Sequence, residues 1–271
     1  MASRDPKALL AELTAWAAAA GAGPPETHAY GDDPEQVADL RLPGRGERRT
    51  EGPPPVAVLL HGGFWRAAFT RSLMAPLAVD LARRGWATWN VEYRRAGNGG
   101  GVPETLDDVR AAIEHLTALA ANRDRALGLD IGRMVAVGHS AGGQLALCAA
   151  PGSAVRRVVS LAGVCDLRAA AREHIGEDAT VQFMGGDPGQ RAGAYAQADP
   201  LTRVPTGLDV LLVHGDADPR VPVQQSRRYA AAARAAGDRC ELLELPGADH
   251  FDLIDPRTAA WTAVAARLAV S

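Results

Sequence analysis

The chain has 271 residues, 47% of them hydrophobic, and a net charge of −3, which suits one large α/β domain with a sizeable core. That charge balance argues against nucleic acid or a membrane surface as a general partner, and no apolar run approaches the length of a membrane span. Three scattered cysteines, Cys148, Cys165 and Cys240, fit reduced thiols of a cytoplasmic protein better than a disulfide framework.

An alanine-rich stretch at 5–20 reads as a helix packed on the domain, because it is interrupted by Glu12 and lacks the layout of a secretion signal. Residues 21–25 read as a linker, and 36–42 alternates at period two like a half-exposed edge strand. A charged Gly/Pro-rich loop is expected at 45–55. Strands near 56–61, 87–93, 133–138, 155–162, 208–214 and 240–245 then alternate with helices near 70–84, 104–121, 141–150, 222–237 and 256–269. Such alternation predicts a mostly parallel central sheet with helices on both faces. The segment 167–205 has weak periodicity and predicts a small cap insertion rather than a second domain.

Four apolar runs each deliver polar groups at their carboxyl ends, the edge where an open α/β sheet places its chemistry. The first, Val56 to Leu60, runs into His61-Gly62-Gly63-Phe64-Trp65. The second, Met134 to Val137, runs into Gly138-His139-Ser140-Ala141-Gly142. This G-x-S-x-G pattern between a strand and a small-residue helix predicts a sharp turn that holds the Ser140 hydroxyl up as a nucleophile. A serine hydroxyl needs a base and an acid to orient that base. His250, after the last strand, supplies the base, and Asp216 and Asp218, after the run Val210 to Val213, compete as the acid. The order Ser, Asp, His is that of the α/β-hydrolases.

These motifs resemble the α/β-hydrolase superfamily, and within it kynurenine formamidase and the hormone-sensitive-lipase-like bacterial esterases. Glu92-Tyr93-Arg94, Gly163-Val164-Cys165-Asp166-Leu167 and Phe183-Met184-Gly185-Gly186-Asp187-Pro188 extend the likeness. The resemblance implies a serine hydrolase acting on a small carboxylic ester or an N-formyl aryl amide. Its pattern H-G-x-x-D-x-x-V-P places the acid on Asp218 and leaves Asp216 as a turn residue, with Asp166 and Asp249 structural. It also implies an oxyanion hole from the backbone N–H groups of Gly63, Phe64 and Ala141 and a buried ion pair between Glu92 and Arg94. Trp65, His139, Phe183 and Met184 are candidates to line the substrate pocket, with Tyr195 nearby in the cap. His61 and His214 are expected to hold loops. A biosynthetic acyl-transfer, cyclising or C–C-cleaving enzyme, or a non-catalytic binding member, are the alternatives. The absence of C-x-x-C, H-E-x-x-H, P-loop and G-x-G-x-x-G motifs predicts no metal and no cofactor.

Overall fold

A computed structural model describes residues 6–20, 23–44, 52–122 and 127–268. The expected loop at 45–55 lies largely outside them. Eight strands form a single sheet in the order β1-β2-β4-β3-β5-β6-β7-β8. They are β1 (Glu26–Ala29), β2 (Val37–Arg41), β3 (Pro55–Leu60), β4 (Ala87–Val91), β5 (Asp130–His139), β6 (Arg157–Leu161), β7 (Asp209–Gly215) and β8 (Arg239–Leu245). β2 runs antiparallel to both β1 and β4, whereas β4, β3, β5, β6, β7 and β8 are mutually parallel. β1 was not legible as a strand, because Glu-Thr-His-Ala carries no apolar alternation and buries only His28. Its pairing with β2, not its own pattern, makes it one.

The apolar runs serve two cores because successive side chains on a strand point to opposite faces. Val56, Val58 and Leu60 join Met134, Ala136, Val158, Val210 and Leu212 on one side. Ala57 and Leu59 join Val135, Val137, Val159, Leu161, Leu211 and Val213 on the other. Helices α3 (Glu104–Ala121), α4 (Ala141–Ala149) and α8 (Gln224–Ala235) cover the first face. α3 presents Leu106, Val109, Ile113 and Leu116 at helical spacing, with Glu104 and Asp107 in its first turn complementing the dipole. Helices α2 (Ala75–Arg83) and α9 (Ala259–Leu268) cover the second face. The Trp261 Nε1–H donates to Asp80 Oδ2 at 2.7 Å and ties these two helices together. The N-terminal helix α1 (Pro6–Ala19) packs against α2.

The cap comprises α5 (Leu167–Arg172), α6 (Ala179–Met184), α7 (Ala192–Ala198) and a 3₁₀ turn at Pro200–Arg203. Asp166 caps α5 by accepting from the Ala169 N–H. The buried Asp199 carboxylate accepts from the N–H groups of Leu167 and Leu201, anchoring both ends of the insertion.

The expected Glu92–Arg94 pair is not formed. The chain leaves the β4 ladder after Val91, so the alternation that would set the two side chains together ends there. Arg94 forks instead onto the buried Asp108, with Nε and Nη2 at 2.9 and 2.6 Å and its own backbone N–H at 2.9 Å. Gln36 Nε2 adds a fourth bond at 2.7 Å. Asp108 therefore joins α3, the end of β4 and the turn before β2. Replacing it leaves a guanidinium and two amide groups without their acceptor. Asp108→Ala should lower unfolding free energy by about 3 kcal/mol, read as a reduced urea midpoint.

Candidate active site

The turn between β5 and α4 holds Ser140 at φ 55° and ψ −120°, a conformation that L-residues rarely adopt. Close packing on both sides enforces it. A Cβ on Gly138 would overlap the Gly142 carbonyl, and one on Gly142 would overlap the Leu60 carbonyl oxygen of β3. The Ser140 N–H donates to Leu161 O at 2.8 Å, which fixes the turn to β6 as well. Ser140 thus sits where three strand ends converge.

The segment after β3 lies directly against that turn, since a Cβ on Gly62 would come within 2.9 Å of Ser140 Cβ. Gly63, Phe64 and Trp65 all have positive φ, 108°, 53° and 54°. Among the described residues, no acceptor takes the backbone N–H of Gly63, Phe64 or Ala141. Ala141 also opens α4, whose dipole favours negative charge at that end. The loop is held from behind by His61, whose Nε2 faces Glu92 Oε1 at 2.9 Å and whose ring stacks on Tyr93 at 4.3 Å. Tyr93 OH donates to the His61 carbonyl at 2.6 Å. Glu92 also pairs with Arg95 and accepts from the Arg71 N–H.

At the far side of the sheet the loop after β7 buries the Asp218 carboxylate completely. Its Oδ2 accepts from His250 Nδ1 at 2.6 Å, and its Oδ1 accepts from the N–H groups of Arg220 and Val221 at 2.8 and 2.9 Å. Burial alone would raise this carboxyl. The hydrogen bonds from His214 and His250 outweigh burial and hold it well below the usual carboxylate range. His214 is itself fixed by Val221 O and Ser226 Oγ. Asp216 instead accepts from the Gly247 N–H at 2.6 Å, and Asp249 from those of Phe251 and Asp252. Both are loop-forming groups.

The residues expected to line a pocket are placed differently. Trp65, Phe183 and Met184 are buried in the core, as is Tyr195. The positive φ of Trp65 turns its ring inward, where Nε1–H donates to Gln144 Oε1 at 2.9 Å and the indole stacks on Phe183 at 4.6 Å. Gln144 Nε2 in turn donates to Ala198 O in the cap at 2.8 Å. Gln144 was missed, although it is the one polar residue in the apolar sequence of α4. Phe64 remains half-buried, with its ring against Gly176 of the cap, where any Cβ would overlap it. Arg66 Nη2 donates to Gly176 O at 2.7 Å and holds that contact closed. A cleft of about 610 Å³ opens beside the acid loop, lined by Ile175, Gly176, Asp218, Arg220 and Arg227 among others. Among the described residues no group of side chains could hold a metal ion, and no helix is long and apolar enough to cross a membrane.

The BD-FAE family profile matches residues 39–232. The chain belongs to the BD-FAE family. It is 30% identical over 250 residues to esterase LipC of Mycobacterium tuberculosis, covering 83% of this chain and 59% of that protein. With isoprenylcysteine alpha-carbonyl methylesterase ICME of Arabidopsis thaliana it shares 25% over 247 residues, 83% of this chain and 56% of the relative. The chain therefore spans less than two thirds of the length of these relatives. Among solved structures, a truncated carbohydrate esterase from gut microbiota superposes with a TM-score of 0.76 at 21% identity, covering 92% of this chain and 97% of that one. A thermophilic esterase of Thermogutta terrifontis gives 0.71 at 23% identity, covering 91% and 90%. The shared fold is that of the α/β-hydrolases.

His139 braces the histidine loop of this BD-FAE member. Its Nε2 lies 3.0 Å from the His250 carbonyl oxygen and its ring 4.5 Å from the His250 ring, so the neutral Nε2–H tautomer donates there. Burial, reinforced by His250, lowers the His139 pKa to about 3. The unfolded chain takes up this proton below pH 6.5 while the folded chain does not, so stability is full above that pH and declines as pH falls toward 3. The decline attributable to His139 should be about 1.4 kcal/mol per pH unit. Unfolding free energies from urea titrations at pH 6 and 5 should fall by about this much more in the wild type than in His139→Gln, while buried His61, lowered likewise to about 3, adds its own decline to both.

Proposed function

We propose that the chain is a serine esterase that cleaves small carboxylic esters by two-step acyl transfer. The observation that carries this reading is the 2.6 Å bond from His250 Nδ1 to the buried Asp218 carboxylate, beside a strained Ser140 and three unspent backbone N–H groups. With the proton on Nδ1, His250 Nε2 is left as the base. It takes the Ser140 hydroxyl proton as Oγ bonds to the ester carbonyl carbon. The N–H groups of Gly63, Phe64 and Ala141 stabilise the resulting oxyanion. Collapse breaks the bond to the leaving oxygen, which receives the proton from His250. Water, deprotonated by the same imidazole, then releases the acid and restores Ser140. Membership of the BD-FAE family and the likeness to esterase LipC support ester chemistry.

Mutations separate the roles. Ser140→Ala should cut p-nitrophenyl acetate turnover by about 10³-fold or more while the fold persists, and Asp218→Asn by about 10³- to 10⁴-fold. Asp216→Asn should cost far less, because its carboxylate only supports the Gly247 turn. A larger loss from Asp216→Asn than from Asp218→Asn would reassign the acid. Full activity in Ser140→Ala would place the nucleophile elsewhere and end the reading.

The acyl side is short. Trp65 and Phe183 stack on each other and fill the space behind the loop, and Phe64 is pinned against Gly176. Each further acyl methylene contributes about 0.8 kcal/mol only where it has room to be buried. Acetyl and butyryl p-nitrophenyl esters should be turned over readily and palmitoyl esters poorly. A rise in kcat/KM from two to sixteen carbons would refute the short pocket. An N-formyl aryl amide presents the smallest acyl group of all. The sequence likeness to kynurenine formamidase puts it second among the substrates for the same panel.

A further inference from the structure

We propose that Arg220 is a specificity-determining residue that recognises a carboxylate on the leaving group of the substrate. The inference rests on the esterase reading for its direction. His250 must hand its proton to the leaving oxygen, so the departing half of the substrate lies on the side of the histidine and acid loops. The 610 Å³ cleft is on that side, with Asp218, Arg220 and Arg227 in its wall.

Arg220 differs from its neighbours. Arg227 forks onto Glu244, Arg228 bridges Asp166 and Glu173, and Arg66 grips the Gly176 and Glu177 carbonyls. The Arg220 guanidinium meets no carboxylate or carbonyl among the described residues. It lies 4.9 Å over the face of Phe251, whose ring meets His250 edge-on at 5.4 Å. A contact with a ring face leaves the guanidinium's N–H donors unspent, and that fork of donors matches a carboxylate. The backbone N–H of the same residue donates to Asp218 Oδ1, so the root of the side chain is held beside the Asp218 carboxylate. The other charges in the cleft are already engaged. Asp218 is bonded to His250, Asp216 to the Gly247 N–H, and Arg227 to Glu244. Arg220 is the one charge there without a polar partner among the described residues.

The test compares 3-carboxyphenyl acetate with phenyl acetate, which share the acyl group and differ in a charge on the leaving group. The wild-type ratio of kcat/KM should favour the carboxylated ester by about tenfold or more and fall with added salt. Arg220→Met, which keeps an apolar stem on Phe251, should bring the ratio to about one, and Arg220→Lys should restore part of it. A ratio unchanged by Arg220→Met overturns the proposal. Calorimetry of 3-hydroxybenzoate against phenol on Ser140→Ala reads the same subsite without turnover. Arg220-dependent binding, with the wild-type protein hydrolysing neither ester, would sink the esterase reading and leave the subsite standing. Binding indifferent to Arg220→Met would sink the subsite.

Discussion

The arrangement depends on a place where the backbone has no room. Gly138 touches the Gly142 carbonyl, Gly142 touches the end of β3, and Ser140 is left at φ 55° between them. That crowding brings β3, β5 and α4 close enough for the loop after β3 to lie alongside Ser140. The local conformational cost is offset by the sheet, since strands of both cores meet in register at this point. Leu60 pairs with Gly138 and His139 with Leu161. A conformation that the turn would not hold alone is imposed by what surrounds it.

Charge is arranged around the same point with a clear division. The loop after β7 concentrates hydrogen bonds on a single buried carboxylate, with two histidines on one oxygen and two backbone N–H groups on the other. The loop after β3 does the reverse and leaves the backbone N–H groups of Gly63 and Phe64 without an acceptor among the described residues. Its support comes from behind, through His61, Tyr93 and Glu92. One side of the site is saturated with hydrogen bonds, and the other leaves backbone donors open.

Strand ends were legible in the sequence because the apolar runs stop at a histidine, a glycine, a proline or a charged residue, as at His61, Gly138, His214, Pro246 and Glu92. The expected helix at 104–121 matches α3 to the residue. The choice of Asp218 over Asp216 rests on the likeness to a family pattern; in the structure Asp218 bonds to His250 and Asp216 to the Gly247 N–H. Other features left no trace in local sequence. β1 exists only through its partner. Trp65 reads as a pocket aromatic because an aromatic after a strand carries no sign of which way it turns. That direction is set by Gln144 and Phe183, 79 residues further on in the first case. Arg95, not Arg94, joins Glu92 because the strand ends one residue earlier. These are choices made by tertiary contacts.

The outermost parallel strand, β8, leads to the loop that carries His250 and, among the described residues, is an edge of the sheet. Arg239 and Glu241 are exposed along it, and Glu244 is tied to Arg227 across from α8. An edge strand offers unpaired backbone groups to any other chain, and charged side chains discourage such pairing. The strand that leads to the His250 loop is therefore also the one where this protein defends itself against sheet-to-sheet aggregation. Neutralising those charges would endanger solubility before it touched the chemistry.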